Sequence, residues 1–142
     1  MKQFAIIMTL IMLFTVSTPL LAIELVVVVH KDNPVSELSR KQILDIYMGR
    51  KKSFPSGELA KAVDLPDDSI DAETFYANVV GKSVAEVNAY WARLLFTGRA
   101  TPPESLTDQS AVLNYFKTHK NTIAYIRPDQ VNDQVKVVYR VK

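Results

Sequence analysis

The chain contains no cysteine. That excludes disulfide staples, a thiolate nucleophile and any cysteine-based metal site. Histidine is scarce as well: His30 and His119 are the only two, and they fall on separate predicted elements. Neither belongs to a recognisable nucleophile–base or ligand set, so they read as strand-end or surface residues and the sequence gives no support for an enzyme. Charge of one sign is also lacking. With 17 basic and 15 acidic residues the chain is close to neutral, which leaves no electrostatic footprint for nucleic acid. No repeat, low-complexity tract or interdomain linker interrupts the sequence. No cofactor is implied.

What is present begins with a single long apolar run. Lys2 supplies a positive start, Phe4 to Val16 is apolar except for Thr9 and Thr15, and Ser17-Thr18-Pro19-Leu20-Leu21-Ala22 follows. This order predicts a secretory signal peptide over 1–22, cleaved after Ala22. The run is shorter than the ~20 residues of a membrane span, and Pro19 ends it. Leu20 is a departure from the small residue usual at that place. The expected location is therefore the periplasm. The 120 residues Ile23–Lys142 are expected to form one domain, large enough to bury a core without cross-links.

Strand and helix signals alternate through 23–142. Leu25 to Val29 is an unbroken apolar run, too short for a buried helix, and predicts a strand covered on both faces. Ser39-x-x-Gln42 is a capping box opening a helix with Ile43, Ile46 and Tyr47 inward and Gly49 as its stop. Leu59 to Leu65 predicts a second strand. A helix is expected from Ile70 to Val80, capped by Ser69, with Asp71 and Glu73 in its first turn and Ala72, Phe75, Tyr76 and Val79 buried. Ser83-x-x-Glu86 opens another helix through Phe96. Its stripe of Val84, Val87, Tyr90, Trp91, Leu94 and Leu95 predicts a broad buried face, and Trp91, Tyr90 and Phe96 read as core more readily than as a stacking platform. Pro102-Pro103 predicts an extended loop. A last helix spans Asp108 to His119, followed by a short strand Thr122 to Ile126 and an edge strand Val135 to Val141. The expected fold is α/β, a three-layer α/β/α sandwich around a mixed sheet.

Two charge clusters invite a site. Asp64, Asp67, Asp68 and Asp71 suggest a calcium loop, but the alternating ligands, central glycine and closing glutamate are missing. Arg50-Lys51-Lys52 would suit an anion, and equally reads as a solvated helix end.

The order of these elements carries a resemblance. Leu38-Ser39-x-x-Gln42-Ile43-x-x-Ile46-Tyr47-x-Gly49-Arg50 resembles the helix ending in Phe-x-Gly of periplasmic phosphate-binding proteins, the substrate-binding components of ABC transporters. Ser69 to Phe75, Tyr90-Trp91, Phe96-Thr97-Gly98 and Pro102-Pro103 follow in that family's order. Asn121-Thr122-Ile123-Ala124-Tyr125-Ile126 resembles its Gly-x-Ile-Gly-Tyr-Val strand. The resemblance spans residues 25 to 127. The family closes two lobes around its anion, whereas this chain has the length of one, so it resembles the short single-lobe members. The implied fold is one lobe of a type 2 periplasmic binding protein.

The resemblance places a ligand site at Ser69, Ile70 and Asp71. There the family carries Ser-Gly-Thr at a helix N-terminus, where hydroxyls and free N–H groups meet phosphate. Here Ser69 is kept, Ile70 stands for the glycine, Asp71 for the threonine, and the family's arginine falls on Leu65. A carboxylate ~4 Å from an oxyanion costs ~4 kcal/mol at an effective dielectric of 20. Read on their own, Ser69 and Asp71 are ordinary helix-capping residues. The implied partners are phosphate or another oxyanion, held weakly, and a membrane transporter, receptor or porin. The alternative is a degenerate lobe kept as a periplasmic protein-interaction module.

Overall fold

The computed structural model describes residues 23–142. The signal peptide expected over 1–22 lies outside the described residues. β1 (Val26–His30), β2 (Lys61–Asp64), β3 (Glu104–Ser105), β4 (Thr122–Ile126) and β5 (Val135–Arg140) form one sheet in the order β3-β2-β4-β1-β5. β1 runs antiparallel to both β4 and β5, while β2 is parallel to β3 and β4, so the sheet is mixed. Every residue of β1 and β4 is buried. Because successive side chains point to opposite faces, this requires cover on both sides. That is the physical content of the three-layer α/β/α architecture.

The helices are α1 (Arg40–Tyr47), α2 (Ile70–Phe75), α3 (Val84–Thr97) and α4 (Gln109–Phe116). Ser39 and Ser83 form complete capping boxes with Gln42 and Glu86, and Asp108 caps α4 through Ala111 N. Gly49 leaves α1 at φ 71°, and a Cβ there would lie 2.8 Å from the Trp91 ring, so a side chain at 49 is excluded twice.

Four expectations need correction. The helix expected to run straight to Val80 is α-helical only to Phe75 and widens into a π turn over Tyr76–Val80. The wider turn lets the consecutive residues Phe75 and Tyr76 both face inward, where Phe75 stacks on Tyr125 at 4.0 Å. The buried face of α3 is narrower than its sequence stripe: Val87 and Trp91 are buried, Leu95 is exposed, and Phe96 is 96% exposed. In the C-terminal turn of α3 only Leu94 packs against the core among Leu94, Leu95 and Phe96, so apolar spacing there does not translate into burial. The segment after Pro102-Pro103 is not all loop, since Glu104 and Ser105 add a short parallel strand to β2. A 3-10 turn, Pro128–Gln130, follows β4 where no element was expected.

The core is centred on a polar knot. Asp64, at the end of β2, accepts from the hydroxyls of Tyr76 and Tyr125 and, at 2.9 Å, from Leu65 N. Burial pushes the Asp64 carboxyl above the ordinary range, against the pull of those hydroxyls. Tyr76 and Tyr125 are pushed up as well, by burial and then by the Asp64 charge. Tyr47 donates to Val63 O at 2.8 Å and completes the aromatic cluster.

Candidate functional site

The parallel strands β2 and β4 end side by side, and the chain leaves them at Leu65 and Arg127. Crevices outside the carboxyl ends of parallel strands are where open α/β sheets take ligands. Here the N-termini of α2 and α4 also reach that end, and together they enclose a cleft of about 590 Å³. Ser69 and Asp71 line it. Ile70 does not: its side chain is 56% exposed and turned to solvent. The resemblance-derived trio is therefore split, with two residues in the cleft and one outside.

Asp71 stands in the first turn of α2, where the sequence puts it, but its surroundings differ from those of an ordinary first-turn acid. A first-turn acid is usually solvated, yet Asp71 is buried. Its Oδ1 lies 3.0 Å from one terminal nitrogen of Arg127, and the Arg127 Nε donates to both carboxylate oxygens at 3.1 and 3.3 Å. Gln109 Nε2 donates to Asp71 Oδ2 at 2.7 Å, while Gln109 Oε1 accepts the backbone N–H of Arg127 at 3.0 Å. The three residues form a closed ring joining α2, α4 and the end of β4. A guanidinium is thus present although Leu65, buried in the core, supplies none. It arrives from the neighbouring strand, and its Nε already donates to both oxygens of a carboxylate, with a terminal nitrogen in ion-pair contact with one of them.

Both helix termini are occupied in the same way. Ser69 Oγ accepts from Ala72 N at 3.1 Å, and Asp108 Oδ1 accepts from Ala111 N at 2.8 Å. The cleft as a whole is lined by Asp68, Asp71, Asp108 and Asp129 against the single cation Arg127. The calcium-loop cluster is dispersed: Asp64 faces the tyrosines, Asp71 faces Arg127, and Asp67 accepts from Asn88 at 2.7 Å. His30 is buried at its strand end, and His119 stacks on Tyr115 at 3.9 Å.

No family model matches the sequence, and no curated protein matches it. Solved structures do match. A protein described as a phosphate ABC transporter substrate-binding protein, with bound phosphate, from Clostridium perfringens aligns at a TM-score of 0.66 and 23% identity, over 82% of this chain and 45% of its own. An ABC-type phosphate transport receptor from Vibrio cholerae aligns at 0.64 and 17% identity, over 82% and 46%. PstS from Borrelia burgdorferi aligns at 0.62 and 8% identity, over 82% and 47%. The fold is that of phosphate-transport substrate-binding proteins. The chain spans less than half the length of each of these structures.

Gln109 and Arg127 are the site residues that the sequence reading missed. The signal for Arg127 was available: a charged residue directly after a fully apolar strand sits at a strand end and faces the crevice there. Gln109 carried no such mark, because a glutamine at the first position of a helix is unremarkable.

Proposed function

We propose that this chain is an exported, single-lobe protein of the substrate-binding type that holds phosphate or another oxyanion only weakly in the periplasm. The observation that carries this reading is the Asp71–Arg127–Gln109 ring. The one cation and the glutamine of that ring already serve an internal anion: Arg127 and Gln109 hold the Asp71 carboxylate. An incoming phosphate would have to displace that carboxylate or share the cation with it. Three further carboxylates line the same cleft, and a helix terminus returns only ~0.3–1 kcal/mol at an exposed position. The reading is non-enzymatic, and the fold neighbours are transport proteins.

The expected dissociation constant for phosphate at physiological salt is roughly millimolar or weaker, worth ~4 kcal/mol. Calorimetric titration of the purified protein with phosphate, sulfate and nitrate checks it. A micromolar constant for phosphate would overturn the reading and favour a working transport receptor.

A second reading, a protein-interaction module, rests on a different observation: the bare apolar end of α3. Phe96 is 96% exposed with Leu95 half-exposed beside it, and contiguous apolar surface on a small protein marks a contact site.

A further inference from the structure

A second and larger cavity lies away from the Asp71 cleft, between the turn after α1, the C-terminal half of α3 and the sheet edge at β2 and β3. It is an open groove of about 780 Å³. Trp91, Leu95, Leu59 and Pro102 give it an apolar lining. Leu59 and Leu95 are 69% and 52% exposed, so two of the groove's own apolar residues stand open to water.

The charges around it are one-sided. Lys51, Lys52, Lys61 and Arg99 line the groove against a single acid, Glu104. Lys61 is paired with Glu104 at 3.3 Å and lies over the Tyr115 ring. Lys51, Lys52 and Arg99 have no carboxylate within ion-pair distance among the described residues. Three unmatched cations rim an apolar trough in a chain whose overall charge is nearly balanced.

We propose that this groove docks an acidic segment of a partner protein, with carboxylates on the Lys51, Lys52 and Arg99 rim and an apolar side chain seated against Trp91 and Leu95. This deepens the interaction-module reading by naming its surface and the chemistry of its partner. It is independent of phosphate affinity at the Asp71 cleft. Charge complementarity selects the occupant, since an uncharged apolar segment would leave the rim without counterions and a basic one would be repelled. The pair Pro102-Pro103 offers no backbone N–H groups to an added strand. The segment is held by side chains, as a buried anchor surrounded by a polar rim.

Trp91 is the only tryptophan, so its fluorescence reports on the groove directly. The probe is a synthetic peptide of about a dozen residues, rich in Asp and Glu, with Leu and Phe at its centre. The expected result is a saturable change in Trp91 emission whose midpoint moves at least tenfold when Lys51→Glu and Lys52→Glu are introduced together, with the unfolding midpoint unmoved. The same peptide with its acids changed to Asn and Gln should bind at least tenfold more weakly. Binding of the acidic peptide should also weaken as salt rises. No saturable response, or equal binding of the amide peptide, or indifference to the lysine substitutions, would overturn the proposal. So would self-association that occupies the groove, which would assign it to a second copy, or an equal Trp91 response to phosphatidylglycerol vesicles, which would assign it to a membrane surface. Failure of the peptide leaves the phosphate titration unaffected, so the two readings fail separately.

Discussion

The two cavities of this protein are electrostatic opposites. The cleft at the ends of β2 and β4 is lined by four aspartates and one arginine. The groove beside α3 is lined by four cations and one glutamate. In the cleft, the one cation is consumed by a buried carboxylate. In the groove, three cations remain unmatched among the described residues. The position of a site in a fold and the chemistry of that site are therefore separate matters. At the end of the molecule that the resemblance singles out, the one lining cation is paired internally. The end marked by the Arg50-Lys51-Lys52 cluster, outside the resemblance-derived ligand site, carries the unmatched charge and exposed apolar surface among the described residues.

Three substitutions test this contrast. The largest effect is expected at Trp91, which lines the groove yet is only 5% exposed and belongs to the core. Trp91→Ala should destabilise the fold by ~3–5 kcal/mol, as large-to-small core changes do, read by denaturant unfolding. A variant as stable as the parent would mean that the groove wall is not core, and the contrast between an open rim and a packed floor would fail.

Asp71→Thr comes next and acts on the other cavity. It restores the family's residue and breaks the Asp71–Arg127 pair. A hydrogen bond to a charged group contributes ~1.5–3 kcal/mol, discounted here because Arg127 is 46% exposed. The expected loss is about 1–2 kcal/mol of stability, with phosphate affinity rising about tenfold as the guanidinium is freed. Unchanged affinity by calorimetry would show that the carboxylate is not what closes the cleft.

The smallest effect is expected at Glu104, the one acid of the groove. Lys61 first, then Tyr115, hold its carboxyl below the ordinary 4.5. A lowered folded-state pKa contributes stability above the unfolded value and loses it as pH falls through the lowered one. Glu104→Gln should therefore cost a little stability at pH 7, a deficit that shrinks as pH falls through the lowered Glu104 value, while strengthening binding of the acidic peptide by freeing Lys61. A variant whose deficit grows toward low pH would contradict the pairing, and weaker peptide binding would argue that Glu104 orients Lys61 toward its partner.

How much of this was legible beforehand follows from the range of each interaction. The strand Thr122–Ile126, the caps at Ser39, Ser69, Ser83 and Asp108, and the inward face of Phe75, Tyr76 and Val79 depend on neighbours within a few residues. Period and capping chemistry reveal such features directly. The π turn, the exposure of Phe96 and the burial of Asp71 do not, because each depends on how distant parts of the chain pack. Asp71 and Arg127 are 56 positions apart, and Asp64 and Tyr125 are 61 apart.

By itself, then, the sequence determined the element types and the mixed α/β architecture, because propensity, capping and apolar period are local. Only the tertiary structure decided which charges meet. Strand order set Arg127 beside α2 and turned a first-turn aspartate into the occupant of the anion end. Among the described residues, the same packing left Lys51, Lys52 and Arg99 without a carboxylate in ion-pair distance. Ion pairing depends on distances of a few ångströms between elements that the chain order keeps far apart.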